Sequence, residues 1–338
     1  MNKCVKQEAQ ALLDGKTKPQ GSLGLVEDIA AQIAAIQDTT TPTIDPARII
    51  VFAADHGVAQ EGVSAFPADV TAQMMANFAA GGAAVCVLGR TAGADFEVID
   101  VGVNSDLDEL EGVVKAKVAP GTANLKLEAA MQYEQLDAAL QVGREAIVRA
   151  SEAGIRCVGL GEMGIANTTS AAILTGVLCN ATALEVTGRG TGVDDSTLAL
   201  KQAVVAQVMD RLSSLEDDPS ELLRQAGGFE IAAIVGAMLE APAHKITVLV
   251  DGYIVTSAAL VACRIRPTVR DNLIFAHQSA EPGHVIALQQ LDANPLLHLG
   301  MRLGEGSATA LAIPILRASV AILNEMASFA DAGVSTGN

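Results

Sequence analysis

Ile155-Arg-Cys-Val-Gly-Leu-Gly-Glu-Met-Gly-Ile-Ala-Asn-Thr-Thr-Ser170 decides the fold. Its first six residues form an apolar run without strict polar alternation, as a strand covered on both faces requires. Glycines 159, 161 and 164 follow or end that run, and Asn167 opens a helical pattern over residues 167–178. The same grammar recurs on both sides. Arg48-Ile-Ile-Val-Phe-Ala-Ala-Asp55, Phe96-Glu-Val-Ile-Asp-Val101, Ile246-Thr-Val-Leu-Val-Asp251 and Asn272-Leu-Ile-Phe-Ala276 read as further buried strands. Helical patterns lie between the strands, over residues 68–88, 127–153, 194–212, 230–240 and 254–263. This alternation predicts an α/β fold, with a parallel sheet flanked by helices and right-handed crossovers.

The two ends carry no strands. Residues 7–37 show a helical pattern interrupted at Lys18-Pro-Gln-Gly-Ser-Leu-Gly24, and residues 307–330 read as a long apolar helix. We expect them to pack together, giving an α/β catalytic domain over 45–300 and a small helical domain from 1–44 plus 301–338. Half of the chain is hydrophobic but only 3% is aromatic, so Ala, Val, Leu and Ile must build the core. The net charge of −17 argues against nucleic acid or an anionic membrane as partner. None of the five cysteines pairs at C-x-x-C spacing, and their odd number fits no complete disulfide framework, which points to a reduced cytosol. Met1 to Gln10 is polar, without the apolar core of a signal peptide. Residues 70–89 and 163–184 carry no charge but are broken by Asn, Gln, Thr and Gly; they read as buried helices rather than membrane spans.

In open α/β sheets, ligands sit beyond the carboxyl ends of the strands. Polar chemistry gathers at that rim: Asp55-His-Gly57, Gly159 to Gly164, Asp251-Gly-Tyr253 and His277 to His284. Gly159-x-Gly161-x-x-Gly164 matches a dinucleotide fingerprint, with Glu185 about twenty residues further on. A phosphate cradle and a simple turn with a Thr/Ser helix cap are both open. Arg189, in Thr187-Gly-Arg-Gly-Thr-Gly192, and Lys201, in the following helix, are candidate phosphate partners or plain surface cations. Glu305, pinned between glycines before a long apolar helix, can serve as a general base or merely favour a helix N-terminus. His277, Glu281 and His284 suggest a metal, but structural or substrate-contact roles fit them better. No zinc spacing, P-loop or G-x-S-x-G elbow is present.

Longer motifs add a resemblance. Lys18-Pro-Gln-Gly-Ser-Leu-Gly24, Ala54-Asp-His-Gly-Val58, Glu61-Gly-Val-Ser-Ala-Phe-Pro67, Val70-Thr-Ala-Gln-Met74 and Asn77-Phe-Ala-Ala-Gly-Gly-Ala-Ala84 open the series. Gly161-Glu-Met-Gly-Ile-Ala-Asn-Thr-Thr169, Gly188-Arg-Gly190, Val250-Asp-Gly252, Ala276-His-Gln-Ser-Ala-Glu-Pro-Gly-His284 and Gly300-Met-Arg-Leu-Gly-Glu-Gly-Ser307 complete it. Nearly end to end, the chain resembles the nicotinate-nucleotide–dimethylbenzimidazole phosphoribosyltransferases. One departure is Ala166, where the resemblance leads us to expect glycine.

The resemblance implies a Rossmann-like sheet, a homodimer and transfer of ribose phosphate from nicotinate mononucleotide to a benzimidazole nitrogen, with inversion from β to α. It implies no cofactor and no metal. It places the catalytic base on Glu305. The phosphate and ribose fall to Gly161, Glu162, Met163, Gly164, Asn167, Thr168, Thr169, Ser170, Arg189, Gly190 and Lys201, with Glu162 on the ribose or orienting Lys201. A flat base pocket falls to Ser64, Phe66, Gln73, Met74 and Met301. Asp251, Gly252 and Ser279 belong beside the nicotinate or ribose. Two other readings compete: an NAD-dependent dehydrogenase using Glu185, and a non-catalytic nucleotide-binding protein. Whether Glu305 faces the same cleft as the glycine-rich segment separates the three.

Overall fold

The computed structural model describes residues 1–335. The five apolar runs become β1 (Ala47–Ala54), β2 (Asp95–Gly102), β4 (Cys157–Met163), β5 (Thr247–Val250) and β6 (Leu273–Phe275). A sixth strand, β3 (Val113–Lys115), has three residues, too few for a sequence pattern. The order is β3-β2-β1-β4-β5-β6, and every neighbouring pair is parallel. The order reverses between β1 and β4, which leaves a crevice at their carboxyl ends.

Successive residues of β1 face opposite cores. Ile50 and Phe52 join one apolar cluster, with Phe229, Ile173 and Ile254 from helices Phe229–Glu240, Asn167–Cys179 and Tyr253–Ile265. Ile49 and Val51 join the other, with Met75, Val85, Ile33 and Ile313 from helices Val70–Ala79, Ala84–Ala92, Leu25–Gln37 and Ser307–Glu325. Both faces are covered, which is why the strands show no polar alternation.

Helices Tyr133–Glu152 and Phe229–Glu240 approach closely at Gly143. A Cβ built there would lie 1.7 Å from the Ala233 carbonyl oxygen, an impossible contact with backbone. We expect Gly143→Ala to destabilise the fold by roughly 1–3 kcal/mol through overpacking. Urea denaturation measures this, and an unchanged midpoint contradicts the packing argument.

Several helix boundaries differ from the sequence reading. Residues 68–88 hold two helices, Val70–Ala79 and Ala84–Ala92, because the chain turns at Gly81-Gly82. The helix expected from 127 begins at Tyr133. The helix expected to run to 330 ends at Glu325, followed by the short Phe329–Ala332. At the termini, Ala9, Leu13, Ala30, Ala31, Ala34 and Leu323 form a separate small cluster. Helices Leu25–Gln37 and Ser307–Glu325 turn their other sides onto the sheet. Ser307–Glu325 is long and apolar enough to cross a bilayer, and its Ile313 and Leu316 are buried against the second core. Lys18, which opens the interrupting segment, is buried in an ion pair with Glu27 at 2.8 Å. Glu27 also accepts from the Leu23 amide at 2.9 Å, so the segment is a pinned turn.

Candidate active site

β4 runs through Met163, so Gly159 and Gly161 are strand residues rather than parts of a turn. A Cβ on Gly159 would lie 2.4 Å from Thr309 Oγ1, and one on Gly161 would lie 2.5 Å from the Gly306 nitrogen. Bare backbone at these positions lets the start of helix Ser307–Glu325 lie directly on the sheet. This corrects the fingerprint reading: Gly161 supports the Glu305 turn from beneath and is not among the residues lining the cleft. Glu185 is no ribose partner either. It caps its own short helix, accepting from the Thr182 amide at 2.8 Å and hydroxyl at 2.7 Å.

Gly304, Glu305 and Gly306 are all left-handed, with φ of 83°, 65° and 84°. Glycine adopts this shape freely; glutamate does so at a cost of order 1–3 kcal/mol, and only when its surroundings enforce it. Asp251 provides the enforcement. One of its carboxylate oxygens accepts from the Gly306 amide at 3.1 Å, and the other accepts from Ala308 at 2.8 Å and Thr309 at 3.3 Å. Burial pushes Asp251 up to about 7 against the pull of these amides. Asp251 therefore anchors a helix start and does not line the cleft, contrary to its expected place beside the nicotinate.

A cleft opens at the switch point. Glu305 lines it together with Gly164, Asn167 and Thr168 from the end of β4 and the next helix, and with Arg189, Gly190 and Lys201. Burial raises the Glu305 carboxyl above its usual range, while the Val85 amide in the first turn of helix Ala84–Ala92 pulls the other way. Glu162 and Met163 also line the cleft. Glu162 accepts from the Asn167 amide group at 2.5 Å. Burial, followed by the carboxylates of Glu230, Asp251 and Glu305, pushes Glu162 up to about 8. At neutral pH it is mostly protonated and places little charge beside Glu305.

The same cleft holds groups that suit an anion. Lys201 is 1% exposed, and its Nζ donates to Thr168 Oγ1 at 2.6 Å; of the two roles that the resemblance implied for Glu162, orienting Lys201 is taken instead by Thr168. Burial lowers its pKa to about 8. The N-terminus of helix Asn167–Cys179 adds its dipole. Arg189 is half-exposed, bound to the Val193 carbonyl at 2.9 Å and paired with Asp195. Two residues that the sequence reading did not assign to the phosphate also line the cleft. Arg302 donates to the Gly190 carbonyl at 3.0 Å, and Glu281 accepts from the Gly190 amide at 2.9 Å. Both lie within motifs that carry the resemblance, but nothing local marks them as neighbours of the Arg189 loop.

Other expected site residues point elsewhere. Thr169 and Ser170 are buried in the helix interior. Ser170 Oγ lies 3.2 Å from His56 Nδ1, and His56 Nε2 lies 2.6 Å from Glu230, so the Asp55-His-Gly57 segment braces this helix from below. Gly252 and Ser279 line the cleft. His284 Nδ1 accepts from both the amide and the hydroxyl of Ser279, at 2.9 and 2.8 Å, which leaves Nε2–H to donate to Thr256 at 2.9 Å. Burial holds His284 at about 3 and His277 at about 4, so both are neutral. Among the described residues no cluster of three or more His, Cys, Asp or Glu can hold a metal.

The expected base pocket is only partly assembled. Ser64 lines the cleft, but Phe66, Gln73, Met74 and Met301 are not among its lining residues. The Ser64 hydroxyl accepts from the Phe66 amide at 3.3 Å, forming a tight surface turn that leaves Phe66 49% exposed. Gln73 faces solvent, and Met74 and Met301 pack against the second apolar core.

Known proteins share this arrangement along the whole chain. A family model described as phosphoribosyltransferase matches residues 1–334. The nicotinate-nucleotide–dimethylbenzimidazole phosphoribosyltransferase of Aromatoleum aromaticum is 50% identical over 325 residues, 96% of this chain and 94% of that one. The chain belongs to this phosphoribosyltransferase family. A second member, from Citrifermentans bemidjiense, is 46% identical over 336 residues, 99% of this chain and 96% of its own. The family fold is shared as well: the crystal structure of CobT from Thermus thermophilus matches with a TM-score of 0.95 and 43% identity, covering 98% of this chain and 99% of that one. Against the family resemblance, Ala166 is the departure already noted, and its φ of 76° supplies the physical reason for expecting glycine there.

Proposed function

We propose that the protein transfers the 5-phosphoribosyl group of nicotinate mononucleotide to a nitrogen of 5,6-dimethylbenzimidazole, releasing nicotinate and forming the α-riboside phosphate of the cobalamin lower ligand. The observation that carries this reading is the shared cleft: a buried carboxylate with a raised pKa, Glu305, lines the same cleft as a lysine and a helix N-terminus that suit a phosphate. A dehydrogenase has no use for that pairing, and a mere binder has no need of the carboxylate.

The chemistry follows from the groups present. The pyridinium leaves as neutral-ring nicotinate, taking the C1′–N electron pair, and needs neither a general acid nor a metal. The benzimidazole nitrogen attacks C1′ from the opposite face, which inverts the anomer. The attacking nitrogen is the pyridine-type one, and the proton on the other ring nitrogen passes to Glu305 as the new bond forms; the ionised carboxylate also favours the oxocarbenium-like transition state. Lys201, Gly164 and Thr168 hold the phosphate, Arg189 and Gly190 close over it, and Gly252 and Ser279 lie on the nicotinate side. Holding both rings in one cleft supplies proximity.

The test is incubation with nicotinate mononucleotide and a panel of flat bases in excess EDTA, with products identified by mass and anomeric NMR. Nicotinate and an α-riboside phosphate are expected at undiminished rate. Activity that EDTA abolishes and Mg²⁺ or Zn²⁺ restores overturns the metal-free mechanism, and absence of any riboside overturns the function.

The same reading includes a homodimer in the cytosol, without nucleic-acid or membrane partners. Its supports are the acidic net charge, five unpaired cysteines, and two apolar side chains, Phe66 and Leu303, left about half exposed for a second copy to cover. Light scattering at twice the 34.6 kDa chain mass is the expected result.

A further inference from the structure

The phosphate end contains a carboxylate, which is unexpected where an anion is to bind. Glu281 is 6% exposed and immediately precedes helix Pro282–Gln290. Its Oε1 accepts from the Gly190 amide at 2.9 Å. Its Oε2 is buried without a partner, lying 2.2 Å from where a Cβ on Gly188 would stand. Gly190 brings the two charges near each other: its amide binds Glu281, and a Cβ built on it would lie 3.0 Å from Thr168 Oγ1 and 3.4 Å from Lys201 Nζ. Arg302 grips the Gly190 carbonyl. The bare backbone of Gly188-Arg-Gly190 is what lets the loop close on the carboxylate.

We propose that Glu281 is the resident counter-anion of this end of the cleft: it fastens the Gly188–Gly190 backbone through the Gly190 amide and keeps Lys201 protonated in the empty enzyme, ready for a phosphate. The proposal rests on the reading of this end as the phosphate site. The charges around Lys201 are few. Thr168 bonds it from helix Asn167–Cys179, and Glu281, fastened to the neighbouring Gly190 amide without pairing directly with the lysine, is the carboxylate whose charge acts on it. Arg302 acts on Glu281. Arg189 is occupied by Asp195. A lysine buried this deeply loses its proton easily, and Glu281 is the group that opposes the loss. Glu281 is therefore a positioning residue, acting on substrate through Lys201 and the loop.

The experiment titrates the Lys201 side chain by ¹³C NMR in the ligand-free, ¹³C-lysine-labelled protein, with Lys201→Arg identifying its signal. In the native protein the inflection is expected near pH 8. In Glu281→Gln, which keeps the amide contact and removes the charge, it should move to lower pH by about one unit or more. Glu281→Asp should restore it towards the native value. An unchanged inflection in Glu281→Gln overturns the proposal. Calorimetry with inorganic phosphate between pH 6 and 9 gives the second arm. Native affinity should fall as pH rises through about 8, and the fall should come earlier in Glu281→Gln. Phosphate that fails to bind the native protein overturns the phosphate reading of this end. The NMR titration, which needs no ligand, shows separately whether Glu281 sets the lysine's charge.

Discussion

Glu305→Gln should bind both substrates and lose turnover by about 10²–10⁴-fold, the usual contribution of a general base. The amide keeps the size and polarity of the carboxylate and the same left-handed backbone, but it cannot accept the benzimidazole proton. Pre-steady-state turnover with both substrates saturating measures the loss. Native-like turnover, with chemistry shown to be rate-limiting, removes Glu305 from the role. The pH profile should agree in sign. Glu305 works only while ionised, and burial lifts its pKa above the usual carboxylate value. Activity should therefore fall as pH drops through that raised value. Protonation of the base substrate can mimic this limb, so the profile should be repeated with a base of different ring pKa. A limb that moves with the substrate says nothing about Glu305.

Lys201→Met should weaken nicotinate mononucleotide by roughly ten- to a hundredfold, while free benzimidazole binds almost as before. A desolvated charge-assisted contact is worth about 1.5–3 kcal/mol, and this lysine is buried and already held in place by its bond to Thr168. Methionine keeps the length of the stem, so packing is largely preserved. Arg189→Ala should cost much less, because its guanidinium is half-exposed and already engaged by Asp195. The native lysine titrates near 8, so nucleotide affinity should also decline above that pH. Titration calorimetry with each substrate alone gives the comparison. Equal losses for nucleotide and free base place the phosphate elsewhere.

The strands were legible because a doubly covered parallel sheet turns both faces of each strand inwards, which leaves long apolar runs in the sequence. β3 was not, being three residues at the sheet edge. Glu305 and Gly164 carry a local signal, since each stands beside glycines at the end of an apolar element, whereas Lys201 lies inside helix Asp195–Leu212 and only the family resemblance pointed to it. The fingerprint misled because glycines that admit a packed helix and glycines that cradle phosphate look the same in sequence. Gly159 and Gly161 are of the first kind, and only a neighbour about 150 residues away in the chain, Thr309 or Gly306, reveals it. Glu281 and Arg302 escaped for a related reason: their partner, Gly190, lies about a hundred residues from each. The base pocket was least legible, because Phe66 projects from a surface turn whose direction local sequence does not set.

The three left-handed residues at 304–306 behave as a cocked spring, and Asp251 is its catch. Gly304 and Gly306 rest easily in that shape, so the tension sits at Glu305 alone, the residue proposed to take the proton. Asp251 is not itself a lining residue, yet releasing the catch should let the backbone relax towards ordinary right-handed geometry and swing the carboxylate off target. The proposed base is thereby vulnerable at a residue that does not itself line the cleft. A lesion at Asp251 should disarm the reaction while leaving substrate recognition intact.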